Sequence, residues 1–348
     1  MASWSRLTSS ARSASRSRIA CCVRPDASES VDHLNRLVVG SLLVATAAAC
    51  FGTLGYVSRN AADLGMGTFP YVAWRGLIAT LAMLPLVAFM TQRFPPRTNS
   101  RLPPNRRRAL LAAALLGSVV NIATFAAFSR TTIAVVLICF YTFPAIVSIA
   151  AVRLYGERID RFRGTALIVS GAGLILVLVA PLLGATAVSL DPIGIGLALI
   201  AAISQASFIL IAGRGFRPWR PWSVGTVLIL SAGAVAAILC VVTLDVAGLS
   251  RPFAEPQTWI WIAFGALIGG AIPTTIFMVG IGWIGPSRAA VLMTIEPLVG
   301  VLLAGALLGE TPSPLQLVGG AMVVAAAGAL QLVPPRKVAP EPEFGPLL

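Results

Sequence analysis

The chain has 348 residues, of which 57% are hydrophobic and 11% charged, with a mean hydropathy of +0.87. A soluble globule of that length needs more polar surface, so lipid must cover much of the protein. A formal net charge of +13 would suit a nucleic-acid partner only with the basic residues gathered on one polar face. Here they form short clusters between long apolar runs, which is the arrangement of topology signals.

Residues 1–36 are Ser- and Arg-rich with no acid before Asp26. We read them as a flexible cytoplasmic tail or a misassigned start; a transit peptide also fits. Cys21 and Cys22 lack the preceding apolar stretch of a lipoprotein signal. With His33 as the single histidine and Cys50, Cys139 and Cys240 inside apolar runs, no metal site and no cofactor are expected.

Ten runs able to cross roughly 30 Å of hydrocarbon follow, near 37–59, 68–90, 109–129, 131–152, 164–182, 192–213, 222–244, 258–283, 286–308 and 314–333. The fold class is therefore an all-α integral membrane protein. In the second span Arg75 is the only basic residue well inside an apolar run. It could meet a substrate carboxylate or snorkel to the interface. The third and fourth spans carry Asn121, Tyr141 and Pro144, and the fourth ends in Gly156-Glu157. The sixth carries Gln205 and Ser207, and the eighth is broken near its middle by Pro273-Thr274-Thr275 and ends near Trp283.

The ninth span holds Glu296, some ten residues deep and followed by Pro297, and ends in Gly309-Glu310. A carboxylate at that depth is costly unless it is paired, protonated or facing a polar cavity. It either binds a proton or a cationic group, or is a structural carboxylate beside a kink. Asn121, Tyr141, Gln205, Ser207, Thr274, Thr275 and Trp283 form a set of polar and aromatic groups that a mostly apolar pocket would use for orientation. Pro85, Pro144, Pro273 and Pro297 are expected kinks, and Gly156, Glu157, Gly309 and Glu310 structural elements. The tail 334–348 is Pro-rich.

With a cytoplasmic N-terminus, 22 of the 26 basic residues lie on the cytoplasmic side. That asymmetry supports an even number of spans and both termini inside. Shifting the chain by 153 residues lays Gly117 on Gly270, Pro144 on Pro297, Gly156 on Gly309 and Glu157 on Glu310. Two units follow, 37–183 and 190–333. Five spans per unit is odd, so the second enters the bilayer upside down, as in many secondary transporters whose site lies between the halves.

On Phe143-Pro144 through Gly156-Glu157 and Glu296-Pro297 through Gly309-Glu310, each followed by a Gly-containing apolar helix, the chain resembles the EamA family of the drug/metabolite transporter superfamily. The resemblance implies a ten-helix fold of two inverted five-helix units that exports amino acids, metabolites or drugs. The expected partners are a small-molecule substrate and the lipid bilayer, with no nucleic acid, and a homodimer stays open. The expected location is a plasma or inner membrane. Translocation of a lipid or lipid-linked sugar is the alternative. A membrane enzyme is disfavoured, since the spans contain no His, no Lys and no Gly-x-Ser-x-Gly turn.

Overall fold

A computed structural model describes residues 27–93, 103–128, 130–131, 133–155, 161–180, 183, 191–214, 216, 219–243, 245–308 and 313–332. The chain divides into two units, Met1–Arg36 and Leu37–Leu348. Of the first, only residues 27–36 are described, and they are helical. The remainder of that tail, the segment 333–348, and Gly156, Glu157, Gly309 and Glu310 lie outside the described residues.

The helices in chain order are α1 (Ala27–Asp63), α2 (Thr68–Arg93), α3 (Pro104–Phe128), α4 (Ile133–Phe140), α5 (Phe143–Tyr155), α6 (Arg161–Val179) and α7 (Pro192–Gly213). They continue as α8 (Pro221–Val242), α9 (Val246–Ala254), α10 (Thr258–Ala266), a π-helical segment (Leu267–Ala271), α11 (Ile272–Ile284), α12 (Pro286–Leu292), α13 (Ile295–Leu308) and α14 (Pro314–Leu332). No strand occurs among the described residues. Helices satisfy every backbone group within the segment, which hydrocarbon demands.

Among the described residues seven stretches are long and apolar enough to cross a bilayer, and the shorter apolar helices Gly164–Val179 and Pro314–Ala329 fall where the fifth and tenth spans are expected. The ninth span is α12 and α13 together. The protein is thus a multi-pass membrane protein with the ten spans read from its sequence.

The spans pair across the two halves. The most extensive contacts join α2 to α8, α6 to α14 and α3 to α7, that is, spans two and seven, five and ten, and three and six. The counterpart of the last pair under an inverted repeat is the first span with the eighth, and there a Cβ on Gly40 would come 2.8 Å from Ile284 Cγ2. Glycines set two of the crossings. A Cβ on Gly76 would lie 2.5 Å from the Cα of Gly233, and one on Gly173 2.5 Å from the carbonyl of Gly319. Such small-residue contacts let backbones approach where lipid supplies no hydrophobic drive between helices.

The expected kinks take three forms. Pro85 sits inside an unbroken α2. Pro144 and Pro297 do not bend a continuous helix: each lies at the start of a new one, after the breaks Tyr141-Thr142 and Met293-Thr294. Proline is tolerated in a first turn, where its missing N–H has no intrahelical partner to lose. Pro273 follows the π segment, in which the Ile272 N–H reaches the Leu267 carbonyl five residues back. That extra residue in the turn is how the eighth span absorbs the proline.

The segment between the seventh and eighth spans, to which the sequence assigns no span, contains helix α9. Its residues hold the turn that joins the first two spans and the second span itself. The Arg251 Nε–H donates to the Leu64 carbonyl at 2.9 Å, and the Trp74 Nε1–H donates to the Leu249 carbonyl at 2.9 Å.

Candidate functional site

A cavity of about 230 Å³ lies among the spans of both halves. The first half lines it from its first four spans, including Phe51, Leu54, Arg75, Asn121 and Phe140, and the second from spans six to nine, including Gln205, Phe208, Thr274, Met293 and Glu296. The fifth and tenth spans pack on one another and contribute nothing to the lining. Five residues singled out from sequence, namely Arg75, Asn121, Gln205, Thr274 and Glu296, face this one space.

Arg75 lies in the N-terminal half of α2, where the next residue, Gly76, crosses Gly233 at backbone contact. Its guanidinium donates from Nη2 to Asn121 Oδ1 at a long 3.5 Å and sits 5.9 Å from the centre of the Tyr71 ring. Asn121 in turn donates its Nδ2–H to the Gly117 carbonyl at 2.9 Å, which fixes its amide so that the oxygen points at the guanidinium. This hydrogen bond uses one of the five N–H donors of a guanidinium that lines the cavity.

Glu296 comes from the opposite half, two residues past the break in the ninth span. The Tyr141 hydroxyl is close enough to the Glu296 carboxyl for the two to interact, so Tyr141 joins the site although it is not a wall residue. Tyr141 lies in the break of the fourth span, held within an aromatic cluster by Phe140 at 5.2 Å and Phe143 at 5.6 Å. By the 153-residue shift Tyr141 corresponds to Thr294, so the two breaks occupy equivalent positions in the repeat. Thr294 is buried and exchanges a 2.8 Å hydrogen bond with Ser170 of the fifth span. In an inverted repeat, discontinuous helices are where polar groups can be offered to a solute in the middle of the membrane.

No ion pair joins Arg75 to Glu296. The cavity thus presents a cationic wall from one half and an acidic wall from the other, separated by apolar and aromatic surface. Among the described residues no group of three or more metal-ligating side chains is found.

The remaining expected residues stand elsewhere. Thr275 donates to the Ala271 carbonyl at 2.8 Å and lies 3.7 Å from Met83 sulfur, within the packing of the eighth span on the second. Ser207 donates to the Ile203 carbonyl at 2.8 Å. Trp283 is 47% exposed on the outer surface of the helical assembly, away from the cavity, which corrects its assignment to the pocket. Its indole is apolar enough to face lipid. Sequence reasoning missed the aromatic wall of Phe51, Phe208 and Phe277. In a chain this apolar, nothing in the local pattern marks a phenylalanine that faces a cavity over one that faces a neighbouring helix.

The model of the EamA-like transporter family matches residues 38–179 and 192–330, one copy per half. An uncharacterized transporter of Archaeoglobus fulgidus is 26% identical over 286 residues, covering 82% of this chain and 94% of that protein. An uncharacterized transporter of Synechocystis sp. is 26% identical over 264 residues, covering 71% and 75%. A crystal structure superposes with a TM-score of 0.66 at 18% identity, over 84% of this chain and 98% of that one, a likeness of fold.

Proposed function

Because the chain belongs to the EamA-like transporter family, we propose that it is an alternating-access secondary transporter that exports a small amphipathic metabolite through the cavity between its halves. The observation that carries the reading is that Arg75 and Glu296, one from each half, line a single cavity without pairing with each other. A solute with an anionic group for Arg75 and a cationic or hydrogen-bonding group for Glu296 would complete both walls. An amino acid has this chemistry.

The size of the cavity supports a small solute. At about 230 Å³ it falls below the roughly 300–1,000 Å³ of pockets for drug-sized ligands. A proton is the coupled ion we propose, with Glu296 as its carrier, since among the described charged side chains that line the cavity Glu296 is the only acid. Rocking of one half against the other would expose the carboxylate to each side in turn. The chain has no Gly-x-x-x-x-Gly-Lys-Ser/Thr loop, which favours a gradient over nucleotide hydrolysis.

Reconstitution in liposomes tests this with a labelled panel of amino acids, nucleosides and cationic dyes. Saturable flux of one class, competed by its unlabelled members, is expected. Flux of no class by folded protein, with transfer of fluorescent lipid between leaflets instead, would replace this reading with lipid translocation.

A further inference from the structure

Two arginines grip main-chain carbonyls across the halves at opposite ends of the protein. At one end Arg251 of α9, in the second half, donates its Nε–H to the Leu64 carbonyl of the first half at 2.9 Å. At the other end Arg106 of α3, in the first half, donates from Nη1 to the Arg214 carbonyl of the second half at 3.2 Å.

The two carbonyls are equivalent in the repeat. Leu64 ends the first span, the opening helix of the first half, and Arg214 caps α7, the opening helix of the second. Leu64 closes a Schellman motif: the Gly65 N–H bonds the Ala62 carbonyl at 2.8 Å, and the Met66 N–H bonds the Ala61 carbonyl at 3.1 Å, with Gly65 at φ +81°. The arginines are equivalent as well. Each belongs to the stretch that joins the second and third spans of its half, α9 in one case and the start of α3 in the other. A guanidinium on a helix C-terminus meets both an orphan carbonyl and the negative end of the helix dipole.

We infer that Arg251 and Arg106 are the two latches of the transport cycle, each holding shut the end of the cavity at which it lies. The inference rests on the alternating-access reading above. Opening at the Arg251 end must separate the turn after the first span from α9, which breaks that hydrogen bond while the Arg106 contact stays formed. Opening at the Arg106 end does the reverse. The fit at the first latch is close: a Cβ on Gly65 would lie 2.9 Å from Arg251 Nη2, so the glycine both permits the backbone turn and makes room for the guanidinium. A charge-assisted hydrogen bond of this kind biases a two-state equilibrium by on the order of tenfold or more.

The test is access to the cavity from each face. A cysteine replaces Ala79 or Ala232, both wall residues, in full-length protein whose native cysteines have been changed to Ser or Ala. Membrane-impermeant thiol reagent is applied to sealed vesicles of either orientation. Arg251→Gln should raise labelling from the Arg251 face and lower it from the Arg106 face, changing the ratio about tenfold. Arg106→Gln should change it in the opposite sense, and the double variant should return it towards the wild-type ratio. If either Gln variant fails to fold, the Lys variant at that position, which keeps a charge and loses the planar fork, should shift the ratio the same way by less. A ratio unmoved by the folded variants, or labelling raised equally from both faces, overturns the inference. A wild-type cavity that is labelled from neither face, at any position, instead overturns the carrier reading on which it rests.

Discussion

The Tyr141 hydroxyl interacts with the Glu296 carboxyl, and it does so from the break of one discontinuous span to the rim of the break in the other. The two residues belong to opposite halves. A relative movement of the halves must therefore lengthen, rotate or exchange this contact, which couples the state of the carboxylate to the geometry of the carrier.

Tyr141→Phe removes the hydroxyl beside the carboxyl and leaves the ring in its aromatic cluster. A hydrogen bond from that hydroxyl to the ionised carboxylate during the cycle would contribute about 1.5–3 kcal/mol. We expect a fold intact by gel filtration and an apparent proton affinity for transport shifted by about one pH unit or more. An unchanged pH profile would leave Tyr141 with a packing role only.

Arg75→Gln should weaken transport of solutes with a carboxylate by about tenfold or more, and leave a solute without one nearly unaffected. Arg75→Lys keeps the charge but loses the fork that spans Asn121 and the cavity, and should fall between. Competition in the liposome assay measures both. Equal loss for charged and uncharged solutes would mean that Arg75 holds the helices together instead.

The glycines separate stability from transport. Gly76→Ala forces the second and seventh spans apart, because its Cβ would lie 2.5 Å from the Gly233 Cα. An overpacking cost of about 1–3 kcal/mol should lower the melting temperature in detergent. A Cβ on Gly117 meets nothing within 4 Å and projects from a cavity wall. Gly117→Leu should therefore leave the melting temperature close to wild type and obstruct flux; a stable variant with full flux would argue that the solute passes elsewhere.

Asp191 precedes α7 and accepts the Ile193 N–H at 2.9 Å, with Arg130 at 3.2 Å. The Ile193 amide foremost, and then Arg130, hold its carboxyl below the ordinary Asp value. Its stabilising contribution is complete above about pH 4, the unfolded value, and is lost as pH falls through the lowered folded value. Asp191→Asn, which retains a cap but not the charge, should flatten the fall in melting temperature below pH 4. The same slope in wild type and variant would assign the acid sensitivity to other groups.

Much of this architecture was legible in the sequence because hydrocarbon imposes simple demands. Apolar runs of span length and the Pro144–Pro297 register of the two halves follow from bilayer thickness and the internal repeat. Glu296 and Arg75 stood out because charge inside a span is rare, and both face the cavity. The breaks at Tyr141-Thr142 and Met293-Thr294 were not legible, since proline marks only the restart of a helix and leaves open whether the chain bends or is interrupted before it. Trp283 was misplaced because sequence cannot distinguish the face of a wholly apolar helix that meets lipid from the one that meets a cavity. Helix α9 was missed for a related reason: nine residues that include Pro252 and Gly248 read as a connection, and only packing on the turn around Gly65 makes them a helix.

The most direct test is flux of the transported class into or out of liposomes, with and without an imposed pH gradient, for the wild-type protein and Glu296→Gln. The account predicts that the gradient drives accumulation in wild type, and that the variant folds, loses gradient-driven accumulation and retains at most passive exchange. Full accumulation by Glu296→Gln, with the wild-type dependence on pH, would contradict it and reduce Glu296 to a structural carboxylate beside a helix break.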